Sequence, residues 1–294
     1  MPRYTRREIR EWISGYLFLL PSFSIFVVFQ VFPIFYAFYI SLHEWQLSGA
    51  SPFVGFANYL ELRGDQTFWL SIKNTVLYAL MFVPAEVVIA LILATFLNSK
   101  IKFQGFFKGL YFIPYITSSI IVALVWKWIY NPGFGLLNYL LSLVKLPPRL
   151  WLGDTKLALP SIAVMAIWQA LGYYITIYLA GLQSIPSGLS EAAEVDGATR
   201  FQIFRFITLP LLRPTMLIVV VMATIGSFQV FSSIYVMTSG GPAYATTTIV
   251  WYIYRIAFYS YRLGYGAALG FILFGIIFVI ALFERRFLGS TVEY

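Results

Sequence analysis

Six apolar windows of about twenty residues each constrain this chain more than any other feature, because a hydrocarbon core about 30 Å thick needs that length of helix. They fall at 16–40, 74–98, 106–129, 157–181, 212–237 and 265–283. In lipid no water satisfies backbone N–H and C=O groups, so runs of this kind predict helices that bond internally. The expected fold is an all-α polytopic membrane protein: a single transmembrane domain over 1–294 with six spanning helices. Pro21, Pro33, Pro84, Pro114, Pro160 and Pro214 sit in or near the windows. Membrane helices tolerate them because neighbouring helices and Ser or Thr groups take up the freed carbonyls. Charged residues make up only 11% of the chain, and mean hydropathy is +0.79, which excludes a soluble globular domain.

The first window follows a basic segment, Met1 to Trp12. A secretory signal would need a shorter apolar run and a small-residue cleavage site, so a retained first span is favoured. Lys and Arg set the orientation. With the N-terminus inside, the inner segments hold Arg3, Arg6, Arg7, Arg10, Lys100, Lys102, Lys108, Arg200, Arg205, Arg213, Arg285 and Arg286. The outer segments and span ends hold Arg63, Lys73, Lys127, Lys145, Arg149, Lys156, Arg255 and Arg262, eight against twelve. The expectation is N-in and C-in. The outer segments, 43–72, 130–156 and 238–264, are too short for independent domains and read as a partly structured cap. The net charge of +8 reads as basic loops beside anionic lipid rather than as a nucleic-acid surface.

Several chemistries are missing. With no cysteine and one histidine, His43, there is neither a thiol nucleophile nor a Cys or His metal cluster. No G-x-x-x-x-G-K-[ST], G-x-S-x-G or H-E-x-x-H pattern occurs, so the chain carries no P-loop of its own and no enzyme signature. The expectation is a protein that is not an enzyme, with neither cofactor nor metal in this chain.

The most polar inner segment, 183–213, carries both signs of charge between two apolar runs. Its local pattern predicts two short helices. Ser187 can cap the first, with Ser190, Glu191 and Glu194 near its positive end. Gly197 stops it where a left-handed residue is needed. Thr199 followed by Gln202 reads as a capping box for a second helix carrying Phe201, Phe204 and Phe206, which Pro210 ends. The product is a helix–Gly–helix elbow.

Polar groups inside the spans are the other candidates. Gln169, Tyr173 and Thr176, at i, i+4 and i+7, share one helical face. Gly226, Ser227, Gln229, Val230, Ser232 and Ser233 lie with Phe228 and Phe231 in the fifth window. Hydroxyl and amide groups beside aromatic faces suit a sugar, and they equally suit interhelical packing. Glu86 is the one acid deep in a window, about 20 Å beyond Lys73. Two readings stay open: a proton-coupling carboxylate, or a carboxyl hydrogen-bonded within the bundle near Pro84. With no second intramembrane acid or histidine to form a relay, the second is favoured.

Taken together the motifs resemble the permease subunits of bacterial ABC importers of the carbohydrate-uptake class, the maltose and glycerol-3-phosphate type. The most specific match is the EAA loop: Glu191-Ala192-Ala193, then Gly197, then Ile207-Thr208-Leu209-Pro210. Flanking matches run from Ala180 to Pro186 and from Leu211 to Thr215. Further pieces are Gly15 to Pro21, Trp151-Leu152-Gly153-Asp154 and Ser239-Gly240-Gly241-Pro242. The resemblance implies a multi-pass protein of the bacterial plasma (inner) membrane with a type I importer fold. It implies a second, different permease subunit, two copies of a cytoplasmic ATPase that hold ATP and Mg, and an external solute-binding protein. The elbow would be the coupling helix, with Glu191, Ala192, Ala193, Asp196, Gly197 and Ala198 against the ATPase. Glu191 would pair with a basic residue there, and the alanines would allow close approach. Sugar contacts would fall on Gln169, Tyr173, Thr176, Gly226, Ser227, Gln229 and Val230, with Tyr173 matching a sugar-contacting aromatic. Gln169, Ala170, Gly226, Ser227 and Val230 depart from the maltose pattern, so maltose specificity does not carry over. The alternative function is a secondary transporter coupled to protons through Glu86.

Overall fold

A computed structural model describes residues 5–45, 51–99 and 103–288. Arg3, Lys100 and Lys102 of the charge count lie outside the described residues. Among the described residues the chain is helical with no strand, apart from one isolated bridge between His43 and Phe53. It forms two compact units, Met1–Gly64 with Tyr254–Phe271, and Asp65–Ile253 with Ile272–Tyr294, where the sequence reading takes one.

In the first unit, α1 (Arg6–Phe26) continues through a π-helical turn, Val27–Val31, into α2 (Phe32–Ser41), followed by the short α3 (Ala57–Glu61). Pro33 opens α2 just past the wide turn. Pro has no N–H to give the preceding turn, and widening the helix there accommodates the missing bond. Asn58 holds the end of α2: its Nδ2 donates to the carbonyls of Ser41 at 2.8 Å and His43 at 3.0 Å. The His43 ring is equally committed, with Nδ1 2.7 Å from the Tyr39 carbonyl. Arg262 grips Glu61 in a two-pronged ion pair at 2.8 and 2.6 Å.

The second unit begins with α4 (Gln66–Asn98). Asp65 caps it by accepting from the Phe68 amide at 3.0 Å. Its 33 residues span about 50 Å, well beyond the hydrocarbon thickness. The next window, 106–129, is not one straight helix. It holds α5 (Gln104–Ile116) and α6 (Ser119–Ile129), bent by 97° about Thr117 and Ser118. At 13 and 11 residues, each half reaches only about 20 Å or less. Pro114 near the end of α5, and the extended backbone of Thr117 (ψ 141°), account for the break.

After α7 (Leu136–Leu143), α8 (Ala158–Ser184) forms the centre of the unit, packed against α4, α5 and α12 (Arg213–Phe228). With no solvent-driven force between helices in lipid, close packing of small residues holds such contacts. Ala90 and Ala94, one turn apart on α4, are completely buried. Gly172 lets α5 approach α8: a Cβ there would stand 2.2 Å from the Tyr111 carbonyl oxygen. The fifth window is also interrupted, because α12 stops at Phe228 and α13 (Ser232–Met237) starts after a three-residue break. The short α14 (Ile249–Tyr254) leads, through a π turn at Arg255–Tyr259, to α15 (Leu263–Leu288), the last helix.

Between α8 and α12 lies the elbow. Its first helix, α9, is Ser187–Val195. Ser187 does not cap it; Pro186 stands at the cap position with no side-chain bond, so this expectation fails. The stop is as expected. Gly197 is left-handed (φ 82°), its amide bonds the Glu194 carbonyl at 3.0 Å, and the Ala198 amide bonds that of Ala193 at 2.9 Å. Those two bonds form a Schellman cap. The second helix, α10 (Arg200–Ile203), opens with the expected capping box: the Thr199 amide donates to Gln202 Oε1 at 2.7 Å and the Gln202 amide to Thr199 Oγ1 at 3.4 Å. Pro210 does not end it, contrary to expectation. A π turn at Phe204–Thr208 and the one-turn α11 (Leu209–Leu211) carry the chain almost without interruption into α12. Leu209 donates five residues back, to Phe204, so the wide turn absorbs the proline's missing amide.

Candidate functional site: a cavity at two helix breaks and an exposed elbow

Both interrupted windows open onto the same cavity of the second unit, about 310 Å³ in volume. Tyr115 and Ser119 reach it from the α5–α6 break, and Gln229, Val230 and Phe231 from the α12–α13 break. Tyr78 and Phe82 of α4 form one wall, with rings stacked 5.9 Å apart. Ala166, Gln169, Ala170 and Tyr174 of α8 form another. Gly226, Ser232 and Ser233 complete it. The lining sets hydroxyls, amides and aromatic faces, the groups that bind a polyhydroxylated ring, among the small residues Ala166, Ala170, Gly226 and Val230.

Helix breaks in a membrane free carbonyls that need partners, and the sequence provides them. Gln169 Nε2 donates to the Thr117 carbonyl at 3.2 Å and to Ser119 Oγ at 3.3 Å, so half of its amide holds the first break. Thr248 Oγ1 donates to the Val230 carbonyl at 3.2 Å and serves the second. Thr248 belongs to a tightly held turn, 238–248, that contains the Ser239-Gly240-Gly241-Pro242 motif. Asn74 Nδ2 donates to the carbonyls of Tyr244 at 2.9 Å and Thr247 at 3.1 Å, and Thr75 Oγ1 accepts from the Ile249 amide at 2.9 Å. None of Asn74, Thr75 and Thr248 stands out in the sequence, because their partners lie on distant segments.

The structure divides the other candidates. Gln169, Gly226, Gln229 and Val230 line the cavity. Tyr173 is not among its lining residues; it stacks on Tyr115 at 4.9 Å and meets Tyr174 edge-on at 5.1 Å. Tyr174, one residue on, lines the cavity instead. Thr176 lies in a second groove, about 460 Å³, with Lys108 and Gln183, and its hydroxyl donates to the Gly172 carbonyl at 2.8 Å. Ser227 is buried and its Oγ donates to the Thr224 carbonyl at 2.8 Å, so it is turned away from the cavity. One helical face in the sequence thus serves two cavities and a ring stack.

Glu86 is completely buried, on the α4 face that carries Tyr78 and Phe82. Neither carboxyl oxygen has a hydrogen-bond partner among the described residues, so the expected bond within the bundle is absent. A second inward acid, Glu284 of α15, does have a partner: Thr224 Oγ1 donates to its Oε1 at 2.7 Å. Its Oε2 is buried and unpartnered. Beside Arg285 and Arg286 it reads as the polar end of a span, which is why sequence reasoning passed over it.

On the elbow Glu191, Ala192, Asp196 and Gly197 are exposed, and Ala193 and Ala198 partly so. Apolar side chains there are exposed too: Val195 at 88%, Phe201 at 73% and Phe206 at 69%.

An all-helical polytopic protein with a cavity of mixed polar and apolar lining at paired helix breaks has the features of a solute pathway. A profile of the binding-protein-dependent transport system inner membrane component family matches residues 74–288. A probable ABC transporter permease protein, YurN of Bacillus subtilis (strain 168), is 37% identical over 96% of this chain and 98% of its own length. The trehalose/maltose transport system permease protein MalF of Thermococcus litoralis is 36% identical over 88% and 87%. Among solved structures, a chain of a bacterial ABC transporter that imports the acidic polysaccharide alginate superposes with a TM-score of 0.81, at 27% identity and 97% coverage of both chains. The chain belongs to the family of binding-protein-dependent transport system inner membrane components.

Proposed function

We propose that this chain is one permease subunit of an ATP-driven, binding-protein-dependent importer of a sugar or sugar-like solute in the bacterial inner membrane. It forms half of the translocation pathway, with the cavity at the two helix breaks on that pathway and a different permease subunit supplying the other half. The exposed, doubly capped elbow carries this reading. An ordered segment that presents Val195, Phe201 and Phe206 outward suits a protein partner. With N-in, C-in topology the elbow lies in the cytoplasm. There it seats on two ATPase subunits that hold ATP and Mg, while an external binding protein delivers the solute. Movement of the elbow on ATP binding then shifts the spans as rigid bodies and alternates access to the cavity. This chain itself catalyses nothing. Family membership does not favour the proton-coupled alternative through Glu86.

The test is reconstitution of the complete complex in vesicles. Uptake requires ATP and continues in the presence of an uncoupler. Glu191→Lys and Gly197→Asp each reduce solute-stimulated ATP hydrolysis tenfold or more, about 1.4 kcal/mol of coupling, while the membrane subunits still assemble. Full coupled hydrolysis in both variants rejects the docking assignment. Uptake by this chain alone along a proton gradient rejects the ATP-driven reading.

A further inference from the structure

The function proposed above leaves the charge of the solute open. We propose that this pathway selects uncharged saccharides and polyols over their uronate, phosphate or sulfonate counterparts, because the cavity offers hydrogen bonds without a cation. The inference rests on the carbohydrate reading and narrows it.

The fourteen described residues that line the cavity include no lysine, arginine or histidine. Its donors and acceptors are neutral: the hydroxyls of Ser119, Ser232, Ser233 and the tyrosines, and the amides of Gln169 and Gln229. A sugar hydroxyl exchanges its water bonds for such groups at little cost. An anion moved there loses far more hydration than neutral dipoles return, and only a paired cation offsets that loss. Three cations stand within eight residues of a lining position, Lys73, Lys108 and Lys127, and none of them lines the cavity. Lys127 Nζ donates to the Val236 carbonyl at 3.0 Å, and Lys108 lines the separate groove with Thr176.

One feature argues the other way. The cavity meets the start of α6 at Ser119 and of α13 at Ser232, and helix N-termini favour negative charge. That gain is smaller than the cost of desolvating an unpaired anion, and α13 is only six residues long. The amides exposed at these starts serve equally as donors to hydroxyl oxygens. The acids of this unit weigh on the same side as the missing cations. Glu86 lies one turn beyond Phe82 and two beyond Tyr78 on the same α4 face, buried and with no hydrogen-bond partner among the described residues. In neither protonation state does a carboxyl bring positive charge. The alginate transporter has a similar fold and an acidic solute. Fold alone therefore does not exclude an anionic solute.

The experiment uses the assembled complex in nanodiscs with hydrolysis-deficient ATPase subunits. The binding protein is omitted, so that it cannot choose the solute. Calorimetric titration compares matched pairs: trehalose with trehalose 6-phosphate, sorbitol with sorbitol 6-phosphate, and glucose with glucuronate. At least one neutral member binds, and its anionic counterpart binds at least tenfold more weakly. Gln169→Arg, or Ser232→Lys if that variant does not assemble, narrows the ratio at least threefold by placing a cation on the wall. An anionic member binding as well as or better than its neutral counterpart overturns the charge selection and leaves the carbohydrate reading standing. A ratio unchanged in an assembled cationic variant also overturns it. If no member of any pair binds, the carbohydrate reading falls and the inference falls with it.

Discussion

Two residues show how far a single position can be read. Glu86 is conspicuous as an acid in an apolar window, but a sequence cannot reveal that both of its oxygens lack partners among the described residues. An unsatisfied buried polar group costs about 1–3 kcal/mol. Glu86→Leu should therefore raise the stability of the purified protein by about that amount, measured as the midpoint of thermal unfolding in detergent. A lower midpoint would show that the carboxyl contributes to stability and would overturn its reading as an unsatisfied group. Gly197 is the opposite case, because its conformation was legible. Helices commonly close on a left-handed glycine just past the C-cap, and Gly197 follows the Asp196 cap with a φ of 82°. A Cβ there would meet nothing within 4 Å, so the strain of any substitution lies in the backbone alone.

Elements were legible where their determinants are local. The capping box at Thr199 and Gln202 involves residues three apart, and it formed as read. Thr199→Ala should cost about 1 kcal/mol. The loss should appear as faster hydrogen exchange of the α10 amides, with α12 unchanged. Equal protection in wild type and variant would show that packing of the buried Ile203, rather than the cap, holds α10. Interruptions that depend on a distant partner were not legible. The window 106–129 has the length of a span, yet it bends by 97°. At the bend Gln169, 52 residues away, takes up the Thr117 carbonyl. Pro210 was expected to break a helix, and a π turn upstream let the chain continue. Proline marks a place where hydrogen bonding must change without saying how it changes.

For the whole molecule, the longest-range bonds decide what lies next to the cavity. Asn74 ties the start of α4 to a turn some 170 residues later, and Thr248 of that turn holds the break that lines the cavity. Asn74→Ala strips two carbonyls of their donor and should destabilise the fold by about 1–3 kcal/mol. It should also weaken solute binding, whereas a similarly destabilising substitution away from this turn should not. Binding unchanged at reduced stability would separate the turn from the cavity.

By itself the sequence determined the all-helical membrane class, the approximate places of the apolar helices and the elbow with its glycine stop. Each follows from composition or from interactions within a few residues. Only the tertiary structure decided that two windows are broken and that their breaks meet at one cavity. It likewise decided that Tyr174 rather than Tyr173 faces that cavity, and that Ser227 and Thr176 do not. Those outcomes depend on which distant carbonyl or ring each side chain meets, and helical spacing along one segment carries no record of the partner.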